Sequence, residues 1–265
     1  MTRPSLFLAA IDAALCAGDE ILEVYNSAFT VEHKADRTPL TRADTRAHRA
    51  IVEALQRTCL PVLSEEGRAI DYQTRRNWTD FWMVDPLDGT KEFVKRNGEF
   101  TVNIALIHNG DPVAGVIWVP VTKTLYFATE DVGAHRIYDP SPSPPSDLQA
   151  WLRHSTPLPC EPARSQYVAV ASRSHTSAET EAFLADLRSQ HQCVHTRSVG
   201  SSLKICLVAE GAADVYPRFS PTMEWDTAAG QAIAQGAGKR VIDQETGSPM
   251  RYNKPSLRNP WFIVS

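Results

Sequence analysis

Two aspartates, Asp85 and Asp88, are the residues of this sequence best placed to bind a cation. They belong to the segment DPLDGT at 85–90, which follows the apolar run FWMV at 81–84. A short apolar run predicts a buried strand, and the glycine after Asp88 indicates a turn that can open into a helix. Carboxylates gathered at such a point suit Mg²⁺, which prefers oxygen ligands together with a substrate phosphate.

Further carboxylates stand near the ends of other predicted elements. Glu65 and Glu66 follow a short strand that begins near 61, and Asp226 lies in the segment EWDTAAG at 224–230. Because side chains alternate along a strand, at most one of the two adjacent glutamates is expected to bind a metal. Each acid also has a simpler explanation, a solvated loop for the glutamates and a helix N-terminus for Asp226. The sequence has no Cys or His pairing that would indicate zinc.

Asp44 is a fourth acidic candidate. A polar, proline-containing approach at 38–43 leads into a predicted helix at 44–59, and Asp44 would lie in the first turn of that helix. A carboxylate is favoured there as a cap and by the helix dipole. Its position alone therefore favours a capping role over a catalytic one.

The elements that must hold these side chains follow two patterns. In the first half, apolar spacing predicts helices at 4–26 and 44–59 and an antiparallel meander of three strands between 102 and 128. In the second half, strands and helices alternate, which is typical of an α/β arrangement. The predicted segments of this half are 167–171, 176–189, 194–198, 201–210, 213–216, 225–235 and 261–264.

A proline-rich stretch at 139–146 separates the two patterns. So many prolines are incompatible with a helix or a central strand, so the stretch is predicted to be an exposed loop. We expect an N-terminal α+β half at 1–138, an exposed connection at 139–162 and a C-terminal α/β half at 163–265. The two halves predict a layered structure with a cleft between them.

Composition narrows the classes of function. The 265 residues carry a formal net charge of −4, which gives no support for nucleic-acid binding. Five widely spaced cysteines fit thiols in a reducing compartment, and no apolar run reaches the length of a membrane span. These features predict a cytoplasmic protein, with peripheral attachment to the cytoplasmic face of a membrane left open.

Three blocks taken together resemble the lithium-sensitive, Mg²⁺-dependent phosphatase superfamily, which includes the inositol monophosphatases. The blocks are LSEE at 63–66, DPLDGT at 85–90 and WDTAAG at 225–230. Five other segments are similar to the CysQ-type 3′(2′),5′-bisphosphate nucleotidases of that superfamily. They are TKEF at 90–93, NGEFTVNIAL at 97–106, SRSH at 172–175, GSSLK at 200–204 and VYPRF at 215–219.

The resemblance implies a fold, a cofactor and a set of residues. The fold would be a layered αβαβα sandwich, with a metal cleft between the two halves that holds two or three Mg²⁺ ions. In-line attack of a metal-activated water would release phosphate, and Thr90, together with either Glu65 or Asp44, would orient that water and accept its proton. The metal ligands would be Glu65, Asp85, Asp88, Asp226 and the carbonyl group of Leu87.

The resemblance also implies contacts with a nucleotide bisphosphate. The scissile phosphate would lie on the amide groups of the helix that opens at Gly89 and Thr90, since helix N-termini bind anions. The remaining substrate-binding positions would be Leu87, Lys91, His175, Ser201, Lys204, Arg218 and Asp226. Without the resemblance, simpler explanations are favoured: Lys204 as a solvated helix residue, Arg218 as part of a surface ion pair and His175 as the neighbour of a helix cap.

The predicted reaction is removal of the 3′-phosphate of adenosine 3′,5′-bisphosphate (PAP), which yields AMP. The sulfated analogue PAPS is a second candidate substrate. Two alternatives remain open: a phosphatase of inositol or small sugar phosphates, and a non-catalytic nucleotide-binding regulator. The chain is expected to be a monomer or a homodimer.

Overall fold

The computed structural model describes residues 2–27, 38–140, 147–172 and 177–265. Its first half contains two long helices, two short ones and the strands of one large sheet. The helices are α1 (Arg3–Tyr25), α2 (Thr38–Gln56), α3 (Tyr72–Arg75) and α4 (Thr90–Val94). The strands are β1 (Val62–Ser64), β2 (Asp80–Asp88), β3 (Thr101–His108), β4 (Asp111–Val119), β5 (Thr124–Thr129) and β6 (Gly133–Tyr138).

The second half contains shorter strands that alternate with helices. The helices are α5 (Leu148–Arg153), α6 (Ala178–Gln190), α7 (Leu203–Glu210) and α8 (Ala228–Gly236), and a 3₁₀ turn at Glu224–Asp226 precedes α8. The strands are β7 (Thr156–Pro157), β8 (Tyr167–Ser172), β9 (Val194–Val199), β10 (Tyr216–Arg218), β11 (Val241–Asp243) and β12 (Phe262–Val264).

The strands form three sheets. β1 to β7 make a seven-stranded sheet in sequence order, in which only the β1–β2 pair is parallel. β8 and β9 pair in parallel, and β10, β12 and β11 form an antiparallel sheet in that order. A bridge between Ala169 and Val215 connects these two smaller sheets.

Buried apolar clusters define five layers. Helices α1 and α2 cover one face of the large sheet, where Ile11 and Ile51 pack with Trp82 and Val116. Helices α7 and α8 cover its other face, and beyond them lie the two smaller sheets. Helix α6 packs outermost through Leu184 and Leu187. The layered αβαβα fold that the sequence predicts is therefore confirmed.

A bulge in β2 brings the two aspartates of DPLDGT to one side of the sheet. Three residues apart on a regular strand, Asp85 and Asp88 would point to opposite faces. In the structure they pair with Asn103 and Thr101, which are only two residues apart, so the register shifts between the aspartates. Pro86 lies in this irregular stretch, where the absence of a backbone N–H donor is tolerated. Both carboxylates therefore lie on the same face.

Several predicted boundaries are wrong. Helix α2 begins at Thr38 and not at 44, because the proline of the approach occupies its first turn. Asp44 therefore lies in the second turn and is not a cap. The strand predicted at 213–216 pairs at Tyr216–Arg218, and the helix predicted at 225–235 begins as a 3₁₀ turn. The bounds of the strand at Tyr216–Arg218 are set by its pairing with β12, which local patterns do not encode.

The predicted connection at 139–162 is not an exposed loop throughout. Residues 141–146 lie outside the described part of the chain. Helix α5 and strand β7 fall within the connection, and Trp151 and Leu158 are buried against the rest of the structure. Apolar side chains within 148–158 pack into the two apolar clusters on the faces of the large sheet, and they are buried for that reason. The division into halves stays a prediction.

None of the helices described is long and apolar enough to cross a membrane. The cysteines, all within the described residues, are free thiols.

Candidate active site

Three of the predicted acids meet at the carboxyl ends of β1 and β2 and at the turn before α8. Oxygen atoms of Glu65, Asp85 and Asp226 lie within 4.8 Å of one another. Glu65 follows β1 directly, and its amide donates to Val84 of the neighbouring β2 at 3.1 Å. Asp85 is 1% exposed, and its Oδ1 accepts from the amide of Leu87 at 3.0 Å. The parallel β1–β2 pair thus places the first two acids side by side.

Burial and like charges raise the pKa values in this carboxylate cluster. Burial raises the pKa of Asp85 well above its ordinary value, and Asp88, Glu65 and Asp226 add to the effect. Burial and Asp88 raise the pKa of Asp226 to about 7, and burial with Asp88 raises that of Glu65. Mutually repelling carboxylates at short range favour a bound cation or a shared proton. The donor set, all oxygen and mostly carboxylate, fits Mg²⁺.

Asp44 lies beside this cluster. It is 8% exposed on α2, and burial together with the charges of Glu66 and Glu65 raises its pKa to about 7. His48, one turn further along α2, pairs its Nδ1 with Ser64 Oγ at 2.9 Å. Both glutamates act on Asp44, Glu66 also acts on His48, and Glu65 has an oxygen in the carboxylate cluster. That at most one of the two adjacent glutamates binds a metal stays a prediction.

The turn after Asp88 opens into a pocket of about 220 Å³. Gly89 has a φ of 95°, a conformation that favours glycine, and it stands at the N-cap of α4. A Cβ at Gly89 would also come within 3.2 Å of the Cβ of Ser201, which lines the same pocket. The predicted site residues that line this pocket are Asp88, Gly89, Thr90, Lys91, Ser201, Lys204, Arg218 and Asp226.

Lys204 is a buried cation that lines the same pocket. It is 7% exposed, its Nζ donates to the carbonyl oxygen of Ser201 at 2.6 Å, and it lies 5.7 Å from the ring centre of Tyr216. Burial lowers the pKa of Lys204 to about 8. The alternative of an exposed surface lysine therefore does not hold, and a buried ammonium that lines a pocket is suited to an anionic ligand.

Arg218 and Ser201 lie near Lys204. Arg218 sits at the end of β10 and donates through Nη2 to the carbonyl oxygen of Pro221 at 3.1 Å. Within the described part of the chain, its Nε and the buried Oγ of Ser201 have no hydrogen-bond partner. A ligand with several acceptor oxygens would satisfy both groups.

Of the two remaining predicted substrate-binding residues, the structure describes Leu87 but not His175. Leu87 is 1% exposed between the two aspartates, on the bulge of β2. His175 lies outside the described residues, so its part in an adenine pocket stays a prediction.

The turn that carries Asp226 is held by residues that the sequence patterns do not reveal. Glu224 is fully buried and accepts from the amides of Asn253 and Lys254 and from Lys254 Nζ. Arg75, 2% exposed, donates to the side chain of Asn253 and to two carbonyl oxygens of the same loop. Arg75 falls in a polar stretch without periodicity, and no sequence signal distinguishes it from a surface arginine.

Asn103 and Ser202 are further buried residues that the sequence patterns leave without a role. Their side chains are hydrogen-bonded to each other and lie next to Asp88. Both fall in segments that resemble the nucleotidases, NGEFTVNIAL and GSSLK, so the resemblance is the signal that could have marked them.

A model of the inositol monophosphatase family matches residues 4–260. The chain is 46% identical over 257 residues to the 3′(2′),5′-bisphosphate nucleotidase CysQ of Escherichia coli O157:H7, covering 94% of this chain and 95% of that protein. It is 34% identical over 251 residues to the nucleotidase of the same name from Haemophilus influenzae, covering 94% and 88% of the two chains.

Solved structures give the same likeness. The crystal structure of CysQ from Bacteroides thetaiotaomicron superimposes with a TM-score of 0.94 at 55% identity, covering 99% of this chain and 97% of that one. Inositol monophosphatase II from Staphylococcus aureus is similar in fold, with a TM-score of 0.74 at 23% identity and coverage of 98% and 88%.

Proposed function

Because the chain belongs to the inositol monophosphatase family and, within it, to the CysQ 3′(2′),5′-bisphosphate nucleotidases, we propose that it is a phosphomonoesterase that acts on nucleotide bisphosphates. The proposed reaction is Mg²⁺-dependent removal of the 3′-phosphate of PAP, which yields AMP and phosphate. PAPS is a second proposed substrate.

This proposal rests mainly on one observation: acidic and basic side chains line the same pocket. Asp88 and Asp226 line the pocket together with Lys204 and Arg218. A bisphosphate nucleotide needs a metal centre at the phosphate that leaves and separate cations at the phosphate that stays. A substrate with a single phosphate would leave the two cations without an anion.

The proposed metal centre is held by Glu65, Asp85, Asp88, Asp226 and the carbonyl group of Leu87, and we propose two or three Mg²⁺ ions there. Bound Mg²⁺ would polarise the phosphoryl group and lower the pKa of the attacking water. The carboxylate cluster of Glu65, Asp85 and Asp226, with oxygens within 4.8 Å of one another, supports this assignment.

The protein groups around the pocket have separate proposed tasks. Thr90, with Glu65 or Asp44, would orient the attacking water and accept its proton. The amide groups at Gly89 and Thr90 would hold the scissile phosphate. Lys91 and Ser201 would contribute further contacts, and Lys204 and Arg218 would bind the second phosphate. The pKa of Asp44, about 7, suits a group that takes up a proton near neutral pH.

We further propose a cytoplasmic location, which the free thiols of all five cysteines support. Assembly as a monomer or a homodimer remains the expectation from the sequence.

The test is phosphate release from PAP, PAPS, inositol 1-phosphate and fructose 1,6-bisphosphate, each with Mg²⁺ and with or without Li⁺. We expect kcat/KM to be highest for PAP, inhibition by Li⁺, and loss of release in EDTA. Asp88→Asn should reduce release by about 10³-fold or more, because the metal centre supplies several kcal/mol. A preference for inositol 1-phosphate would overturn the nucleotide assignment, and release from none of the substrates would favour a non-catalytic binding protein.

A further inference from the structure

One serine hydroxyl contacts three segments of the site at once. Ser202, at the N-cap of α7, is 3% exposed. Its Oγ lies 2.8 Å from Oδ2 of Asp88 and 2.9 Å from the carbonyl oxygen of Asp226. It also lies 2.8 Å from Nδ2 of Asn103. This hydroxyl therefore connects β2, β3 and the turn before α8.

The carboxylate of Asp88 determines which end of the Asn103 amide faces the site. Asn103 is 1% exposed, and its amide end lies 3.5 Å from Oδ2 of Asp88. An ionised carboxylate only accepts hydrogen bonds, so the NH₂ group and not the carbonyl oxygen must face it. Asn103 therefore donates to the hydroxyl of Ser202.

Ser202 then has one hydrogen and two acceptors. Because its oxygen accepts from Asn103, its own hydrogen is directed to Asp88 or to the carbonyl oxygen of Asp226. A hydrogen bond to a carboxylate is about twice as strong as one between neutral groups. The hydroxyl thus holds Oδ2 of Asp88 and leaves Oδ1 available to a cation.

We propose that Ser202 is a positioning residue for Asp88, and that Asn103 orients Ser202 in turn. Neither residue is a metal ligand in the proposed site. Their role is to fix the carboxylate so that Oδ1 faces the cation. This inference rests on the proposed metal site and adds to it a dependence of cation affinity on one neutral hydroxyl.

The residue before Ser202 contacts Lys204, which is a proposed substrate-binding residue. The carbonyl group of Ser201 accepts from Lys204, whereas the side chain of Ser202 points to Asp88. Loss of the Ser202 hydroxyl alone leaves the backbone acceptor of Lys204 in place. A change at Ser202 should therefore affect cation binding and leave the KM for the nucleotide unchanged.

The test is Mg²⁺ binding measured by calorimetry without substrate. For Ser202→Ala we expect the Mg²⁺ dissociation constant to rise about 10–100-fold, as on loss of a group that orients a ligand. The Mg²⁺ concentration for half-maximal phosphate release should rise by the same factor, with an unchanged KM for PAP at saturating Mg²⁺. Ser202→Thr retains a hydroxyl and should restore Mg²⁺ binding.

Ser155→Ala is the matched control. The Oγ of Ser155 is also partly buried and lies 2.9 Å from Nδ1 of His135, in a network outside the site. Its loss should leave Mg²⁺ binding unchanged. If Ser202→Ala does not fold, Asn103→Ala serves in its place and should weaken Mg²⁺ binding because Ser202 loses its orienting donor.

The outcomes separate this inference from the proposed function. Normal Mg²⁺ affinity in the folded Ser202→Ala variant, or in Asn103→Ala where that replaces it, overturns the positioning role and leaves the metal site intact. Absence of Mg²⁺ binding by the unaltered protein overturns the metal site and this inference together.

Discussion

Lys254 Nζ lies 2.6 Å from Oε1 of Glu224, whose side chain is completely buried. Glu224 lies two residues before Asp226. The ion pair therefore connects the turn that carries Asp226 to the loop at 250–255. The stability of the fold and the geometry of the site therefore depend on the same contact.

Lys254→Met should destabilise the protein, because Glu224 would keep a buried charge without its cation. We expect a loss of about 3 kcal/mol in the free energy of unfolding, measured with urea. Arg3→Met is the control, since the Arg3–Glu130 pair is 51% and 57% exposed and should contribute about 0–1 kcal/mol. Equal losses in the two variants would contradict the role given to Lys254.

Asp85→Asn should stabilise the metal-free protein while it weakens Mg²⁺ binding. Asp85 is buried among Asp88, Glu65 and Asp226, so removal of its charge relieves repulsion. We expect the free energy of unfolding in EDTA to rise by about 1 kcal/mol or more.

The control for this variant is Asp131→Asn, at an exposed position outside the cluster, which should change stability by about 0.5 kcal/mol or less. Added Mg²⁺ should stabilise the unaltered protein by mass action and the Asp85→Asn variant much less. A less stable variant in EDTA would show that repulsion is not the dominant effect.

Lys204→Ala should reduce selectivity between substrates. A charged hydrogen bond to the second phosphate contributes about 1.5–3 kcal/mol, so kcat/KM for PAP should fall about 10–100-fold. Inositol 1-phosphate has no second phosphate, so its kcat/KM should change little. Lys123→Ala, which removes an exposed lysine paired with Asp139, is the matched control. Equal losses on both substrates would indicate that Lys204 supports the fold and does not select the nucleotide.

Lys204 should also give substrate binding a dependence on alkaline pH. Burial lowers its pKa to about 8, so the cation that we propose binds the second phosphate is lost as the pH rises above that value. The KM for PAP should be constant below about pH 8 and rise above it, towards about tenfold per pH unit. Lys204→Arg, which keeps its charge throughout this range, should give a flatter profile.

A rise in pH should change the stability of the fold and the binding of the substrate in opposite directions. The folded pKa of Lys204, about 8, is below the ordinary value of 10.5, so the unfolded chain binds more protons between these two pH values. The contribution of Lys204 to stability therefore increases with pH in that window. A KM for PAP that stays constant up to pH 10 would contradict the assignment of Lys204 to the phosphate.

The αβαβα layers of the fold could be predicted from the family resemblance of three sequence blocks, and strand and helix periodicity predicted most of the elements that build them. DPLDGT predicted a pair of aspartates beside a turn. The bulge in β2 was not predictable, because it depends on how β3 pairs with β2. Without that register, Asp85 and Asp88 would be assigned to opposite faces.

The supporting residues were harder to predict, because their partners are far away in sequence. Ser202 contacts Asp88 across 114 positions, and Arg75 contacts Asn253 across 178. A buried arginine in a polar stretch and a serine in a helix cap have no local pattern that marks them as buried. Their partners are defined only when the layers pack.

The loop contacts of Glu224 have a consequence for synthesis on the ribosome. The glutamates and aspartates at 65–88 emerge early, but the turn with Asp226 is anchored by Asn253, Lys254 and Asn259. Until residues 253–259 have left the exit tunnel, that turn lacks its anchors. Asp226 can therefore join the other acids of the proposed cation site only after those residues have emerged.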